Sequence, residues 1–152
     1  MRHIWSILCR SSQIDKETNN LSIINVFEQL GITLDQKDHE KKIATVNIPI
    51  DYEIVSLWVK DTHGKKEKAE IILEIVDPKG KILKSFMQTG EMPETMRRLR
   101  TRFRIQGLGI TLPGIYIFVI KIKEDGKRDF RIASEVPLEV QLNIAYKNPT
   151  KN

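Results

Sequence analysis

The sequence is poor in the residues that build covalent cross-links and metal centres. Its 152 residues include one cysteine, Cys9, and three histidines. A lone cysteine excludes an internal disulfide and a cysteine-based zinc site. His3, His39 and His63 are too far apart in the sequence to form a metal-binding pair on one turn or helix. We therefore expect no metal centre and no cofactor.

The sequence also lacks long apolar runs. No stretch approaches the roughly 20 apolar residues that a membrane-spanning helix needs. The apolar stretch at residues 4–8 is shorter than the apolar core of a secretory signal. These absences predict a cytoplasmic protein with no membrane partner. The net charge of +5 fits an acidic partner, but many inert domains share such a charge.

What the sequence does contain is alternation of β-branched and aromatic residues with polar ones. Residues 112–142 are typical of a long β-hairpin with its turn at residues 124–127. In the first arm, one face consists of Tyr116, Phe118, Ile120 and Ile122. A hairpin cannot bury such a face alone, so the rest of the chain must supply more strands and a second layer.

The remaining chain divides into short extended segments separated by turn residues. Residues 21–32 also fit a helical stripe, but their β-branched residues favour a strand. The segment Asp77-Pro78-Lys79-Gly80 has turn chemistry throughout. Together these patterns predict an all-β fold, an antiparallel β-sandwich with immunoglobulin-like organisation and about eight or nine strands. We expect one domain over residues 1–145 and a polar tail at 146–152.

Seven short motifs, spread over nearly the whole chain, resemble those of a known family. They are Trp5-Ser6-Ile7-Leu8-Cys9, Ile14-Asp15, Leu21-Ser22, Val26-Phe27-Glu28, Leu57-Trp58, Asp77-Pro78-Lys79-Gly80 and Pro113-Gly114-Ile115-Tyr116. The set resembles small prokaryotic proteins catalogued only as a domain of unknown function. The resemblance implies a compact β-sandwich and assigns no catalytic or ligand-binding residue. Independently of it, Tyr116 after Pro-Gly is typical of the corner in which a tyrosine hydroxyl bonds to nearby backbone.

The most unusual local feature is a run of alternating arginines. On a strand, side chains alternate between faces, so these arginines share one face at intervals of about 7 Å. We call them the arginine row: Arg98, Arg100, Arg102 and Arg104. Four guanidiniums in line can grip phosphates or a carboxylate-rich surface. The alternative is a structural role, in which Glu70 and Glu74, or Glu135 and Glu139, neutralise the row from neighbouring strands.

Trp58 is the second candidate. If Val55, Leu57 and Val59 face the core, Trp58 lies exposed on the outer face and is a typical binding anchor. With Tyr52 it can form a stacking platform for a sugar or a base. The alternatives are that a loop such as residues 33–42 covers Trp58, or that the register is reversed and Trp58 lies in the core.

No catalytic constellation is recognisable in the sequence, so we expect a protein that is not an enzyme. The sequence predicts a binding or assembly module that acts by protein–protein recognition, possible self-association included, through Trp58 and the arginine row. The alternative function is nucleic-acid or polyanion binding by the arginine row. A third class, carbohydrate or small-molecule binding, would use Trp58 and Tyr52.

Overall fold

The structure, a computed structural model, describes residues 1–35 and 45–145. These described residues form nine β-strands and no helix. The strands are β1 (Arg2–Ile14), β2 (Leu21–Val26), β3 (Gln29–Asp35), β4 (Val46–Val59), β5 (Glu67–Val76), β6 (Ile82–Met92), β7 (Arg98–Ile110), β8 (Gly114–Glu124) and β9 (Arg131–Ala145). The predicted tail at 146–152 lies outside the described residues, and no helix in the described ranges is long and apolar enough to cross a membrane.

The strands form two sheets. The four-stranded sheet has the order β2-β1-β4-β7, and the five-stranded sheet has the order β3-β9-β8-β5-β6. Neighbouring strands are antiparallel except β3 and β9, which are parallel. The prediction of an all-β antiparallel sandwich is confirmed, with the parallel β3–β9 pair as its one departure among the described strands. The immunoglobulin-like organisation stays a prediction.

Residues 21–32 form strand, as predicted, but not one strand. β2 pairs with β1 at the edge of the four-stranded sheet, and β3 pairs with β9 in the other sheet. The chain crosses between the sheets at residues 27 and 28. There the Phe27 amide donates to the Leu8 carbonyl, and the Glu28 carbonyl accepts from the Glu139 amide. The crossing therefore keeps the backbone hydrogen-bonded while it changes partners.

The long strand β4 has an irregularity near Pro49. β4 is continuous from Val46, but its register against β7 shifts between Ile48 and Asp51, on either side of Pro49. Proline has no N–H to give to a sheet, so it is accommodated at such an irregularity. The shift lies at one end of β4 and leaves the regular register of residues 51–59 intact.

The core lies between the two sheets, and the β8–β9 hairpin supplies much of it. The predicted inner face of β8 is confirmed, because Tyr116, Phe118, Ile120 and Ile122 are all fully or almost fully buried. The tyrosine corner is present as well. The Tyr116 hydroxyl accepts from the Thr111 amide at 2.9 Å and donates to the Leu112 carbonyl at 2.9 Å.

Candidate functional site: the arginine row and its cleft

The arginine row lies on the outer face of the four-stranded sheet, along β7. The predicted alternation is confirmed, because Thr101, Phe103 and Ile105 are buried while the arginine row points away from the core. Among the described strands, β7 lies at the edge of its sheet and pairs with β4, and β6 of the other sheet borders its free edge, where Lys84 contacts the Gln106 carbonyl. The arginine row is therefore approached from above, across the outer face.

A buried carboxylate sits beside the arginine row. The Glu53 side chain, on β4, is 9% exposed and contacts two arginines: Oε2 lies 3.4 Å from Arg102 Nε, and Oε1 lies 3.2 Å from Arg104 Nε. The Ser12 hydroxyl, on β1, donates to Glu53 Oε2. The register of the sheet explains the pairing, since Glu53 is directly opposite Arg104. One carboxylate thus forms ion pairs with two guanidiniums.

The prediction that Glu70 and Glu74, or Glu135 and Glu139, neutralise the arginine row is wrong. Glu70 pairs with Lys123 and Glu74 with Lys121, each at 2.7 Å, across β5 and β8 in the other sheet. Glu135 and Glu139 also belong to that sheet, on β9. The neutralising residue is instead Glu53, on the outer face of β4. The sequence signal for a carboxylate on this face was the pair Asp51 and Glu53, and the register places Glu53 opposite Arg104.

The turn between β1 and β2 reaches over to the arginine row. Arg100 donates from Nη1 to the Asn19 side-chain oxygen at 3.1 Å and from Nη2 to the Asn19 carbonyl at 2.9 Å. Asn19 has a left-handed φ of 56°, a conformation that asparagine tolerates. Asp15 supports the same turn by accepting from the amides of Glu17 and Thr18. The turn is therefore tied to β7 across the intervening strands.

A cleft of about 400 Å³ lies between this turn and the arginine row. We call it the arginine cleft. Its cationic wall carries Arg100, Arg102 and Arg104, and its apolar lining carries Ile14, Leu21 and Val55. Val55 is 1% exposed although it faces away from the core. Long arginine stems commonly cover apolar surface in this way while the charged heads stay in water.

Apolar side chains continue across the outer face beside the arginine row. In register, Leu57 is opposite both Arg100 and Trp5, and Val59 is opposite Arg98. Trp5, Leu57 and Val59 are all partly exposed. The outer face thus combines an apolar floor with a border of guanidiniums. Arginine and aromatic residues are both enriched at protein–protein interfaces.

The prediction that Trp58 is an exposed anchor is wrong. Trp58 is 0% exposed, and its indole Nε1–H donates to Thr101 Oγ1 at 2.8 Å inside the sandwich. Tyr52 is 2% exposed and packs edge-on against Phe27 and Phe118, so it offers no stacking surface. Burial raises the pKa of the Tyr52 hydroxyl. The alternative register, with Tyr52, Ile54 and Trp58 inward, is the one that the chain adopts.

Cys9 lies beneath the same outer face and is fully buried. Burial, and after it the nearby Glu53 carboxylate, raise the pKa of the Cys9 thiol, while Arg102 opposes them. A thiol with a raised pKa is a poor nucleophile. Among the residues that the structure describes, no three His, Cys, Asp or Glu side chains are grouped so that they could hold a metal ion.

In comparisons with known proteins, no protein-family model matches the chain. No curated protein matches it in sequence either.

Proposed function

We propose that the protein is a non-enzymatic binding module that recognises a protein partner through the arginine row and the apolar floor beside it. The supporting observation is the pairing of a guanidinium border with partly exposed Trp5, Leu57 and Val59 on one sheet face. Such a face suits a partner segment that carries both carboxylates and apolar side chains. We propose a cytoplasmic setting on the basis of the sequence.

Glu53 favours a protein partner over a nucleic acid. A β-strand that binds along the phosphate backbone of a nucleic acid needs uncompensated positive charge along its length. Here the Glu53 carboxylate lies against Arg102 and Arg104, in one half of the arginine row. A polyphosphate, which carries a charge at every step, would be repelled by that carboxylate, whereas a peptide can space its carboxylates to avoid it. Nucleic-acid binding is the second candidate, supported by the net charge of +5.

A fluorescence anisotropy titration separates the two candidates. The probes are a labelled short peptide that alternates glutamate and leucine, a labelled oligothymidine and a labelled DNA duplex, each at several salt concentrations. We expect micromolar binding of the peptide and at least tenfold weaker binding of both nucleic acids. Tight oligonucleotide binding with a salt slope of three or four phosphates would overturn the protein-recognition proposal in favour of polyanion binding.

A matched pair of variants tests the surface itself. Arg98 is exposed at the end of the arginine row, and Arg128 is exposed on the loop between β8 and β9 in the other sheet. Arg98→Gln should weaken peptide binding at least threefold, and Arg128→Gln should leave it unchanged although the net charge falls equally. Equal effects of the two substitutions would mean that the peptide senses only overall charge.

A further inference from the structure

We propose that the arginine cleft is a specific site for one carboxylate or phosphate group carried on a short apolar stem. This inference rests on the proposed function, because it assigns a ligand chemistry to one part of the same surface. The volume of about 400 Å³ lies within the range of small-ligand pockets, which run from roughly 300 to 1,000 Å³. Such pockets are mostly apolar and carry a few converging polar groups, as this one does.

The guanidiniums of the arginine cleft have donors to spare. Arg102 and Arg104 contact Glu53 through Nε. Among the described residues, no atom accepts a hydrogen bond from their terminal Nη groups. Each Nη carries two N–H donors in a planar fork that matches a carboxylate or phosphate. The contacts to Glu53 thus occupy the inner nitrogen and leave the terminal donors for a ligand.

The Arg100 side chain is immobilised by a different contact, with Asn19. Both of its Nη groups donate to Asn19, so the third guanidinium of the arginine cleft is fixed in place by the β1–β2 turn. A side chain that is immobilised before binding loses less conformational entropy when the ligand arrives. Arg100 therefore supplies a fixed positive charge, while Arg102 and Arg104 supply the hydrogen bonds.

The net charge of the arginine cleft determines how many negative charges its ligand should carry. Three guanidiniums line the arginine cleft and the Glu53 carboxylate neutralises one of them, which leaves a positive excess for a ligand with one or two negative charges. The stem of the ligand faces Ile14 and Leu21, which offer no hydrogen-bond partner from their side chains. A bare inorganic anion leaves that apolar lining unused and should bind less well than an anion with a branched aliphatic or aromatic stem.

The test is isothermal titration calorimetry of the full chain with four probes. They are 4-methylpentanoate, phenyl phosphate, inorganic phosphate and the neutral 4-methylpentanamide. We expect both stemmed anions to bind, inorganic phosphate to bind at least fivefold more weakly, and the amide at least tenfold more weakly. Binding of the amide equal to that of the acid, or silence of both stemmed anions at millimolar concentration, overturns the inference.

Two substitutions locate the bound anion. Arg104→Gln should weaken phenyl phosphate binding at least fivefold. Glu53→Gln removes the competing carboxylate at nearly constant shape and should strengthen the same binding severalfold. Arg128→Gln is the control and should change nothing. If Arg104→Gln binds like the unchanged protein, the anion lies elsewhere and the inference fails. If Glu53→Gln does not stay folded, as judged by its urea midpoint, the Arg104→Gln result alone decides.

A last comparison identifies the source of the anion and separates the two proposals. A short peptide ending in leucine is measured with its terminal carboxylate free and with that carboxylate amidated. If the protein prefers the peptide with the free carboxylate, and phenyl phosphate blocks that binding, the natural ligand of the arginine cleft is a protein terminus. If only the small anions bind, the natural ligand is a free small molecule. If no small probe binds but the glutamate–leucine peptide still depends on Arg98, only the arginine cleft fails. If that peptide also fails, both proposals fall.

Discussion

Among single residues, Trp58 shows how one polar atom fixes an aromatic side chain. A buried indole N–H needs an acceptor, because an unpaired polar group in the core is costly. Thr101 supplies it from β7 and is the one polar residue on the inner face between Leu99 and Ile105. A lone threonine among apolar inward-facing residues was the sequence signal that another polar group is buried nearby.

Replacing Trp58 by phenylalanine should lower the free energy of unfolding by roughly 1–3 kcal/mol, because the Thr101 hydroxyl loses its partner and ring volume is lost. Urea denaturation followed by circular dichroism measures the change. Trp5→Phe is the control: Trp5 is partly exposed on the outer face, and its replacement should cost less than about 1 kcal/mol. Equal losses would contradict the core role of Trp58.

The members of the arginine row differ in what they do for stability. Arg102 is 24% exposed and contacts Glu53, which is 9% exposed, so Arg102→Gln leaves a buried carboxylate with less compensation. We expect a loss of roughly 1–2 kcal/mol, below the value for a fully buried pair because water still reaches Arg102. Arg98→Gln, at an exposed position, should change stability by less than about 0.5 kcal/mol. Thermal melts of the two variants, measured side by side, test this order; an equal loss would contradict it.

At the scale of strands, the sequence predicted elements well and one strand's orientation badly. The β8–β9 hairpin was predictable because β-branched and aromatic residues dominate β8, and because Val136, Leu138 and Val140 alternate in β9 with two glutamates and a proline. The orientation of β4 was not predictable, because both of its faces are largely apolar. One face carries Tyr52, Ile54 and Trp58 with one serine. The other carries Val55, Leu57 and Val59, with two acids at one end. Alternation with a period of two does not show which of two such faces is directed towards the core.

The order of strands within a sheet was the other part that the sequence did not reveal. Glu53 lies beside the arginine row only because β4 pairs with β7, two strands that are distant in the chain. The contact of Arg100 with Asn19 likewise joins residues far apart in sequence. Alternation shows which side chains share a face, but it carries no information about which strand is the neighbour. The arginine row was therefore predictable, and the arginine cleft was not.

The turn between β5 and β6 should make stability depend on pH. The Asp77 carboxylate accepts hydrogen bonds from the amides of Lys81 and Lys79 and from the Thr111 hydroxyl. The backbone bond from Lys81 is the largest of the causes that hold the pKa of Asp77 below its ordinary value. A carboxyl with a lowered pKa in the folded state stabilises the protein above its unfolded pKa of about 4, and this contribution is lost as the pH falls below that value.

Asp77→Asn should accordingly lower the urea midpoint at pH 6, where the unchanged carboxylate is ionised. The difference between the two proteins should shrink as the pH is lowered from 4 to 2. Asp129→Asn, an exposed substitution in the loop between β8 and β9, serves as the control and should show little difference at either pH. A difference between Asp77→Asn and the unchanged protein that is as large at pH 2.5 as at pH 6 would show that the Asp77 charge plays no part.

For the molecule as a whole, the sandwich depends on how closely its two sheets approach at the β6 and β7 edges. These strands belong to different sheets and face each other without backbone pairing between them. Gly90, on β6, is buried at this approach. A methyl group there would lie 2.9 Å from Leu99 Cδ2 on β7 and 3.1 Å from Ile71 Cδ1 on β5. Glycine thus lets β6 lie close to the Leu99 side chain.

Gly90→Ala should therefore destabilise the whole sandwich by about 1–2 kcal/mol, the low end for overpacking, because the end of the Leu99 side chain can turn aside. Gly31→Ala is a matched control, since a methyl group at that position in β3 meets nothing within 4 Å. Alanine restricts the unfolded chain equally at both positions, which favours folding by roughly 0.4–1 kcal/mol. The difference between the two unfolding free energies in urea consequently measures the packing between the sheets, and a difference near zero would mean that the sheets tolerate a wider separation at this edge.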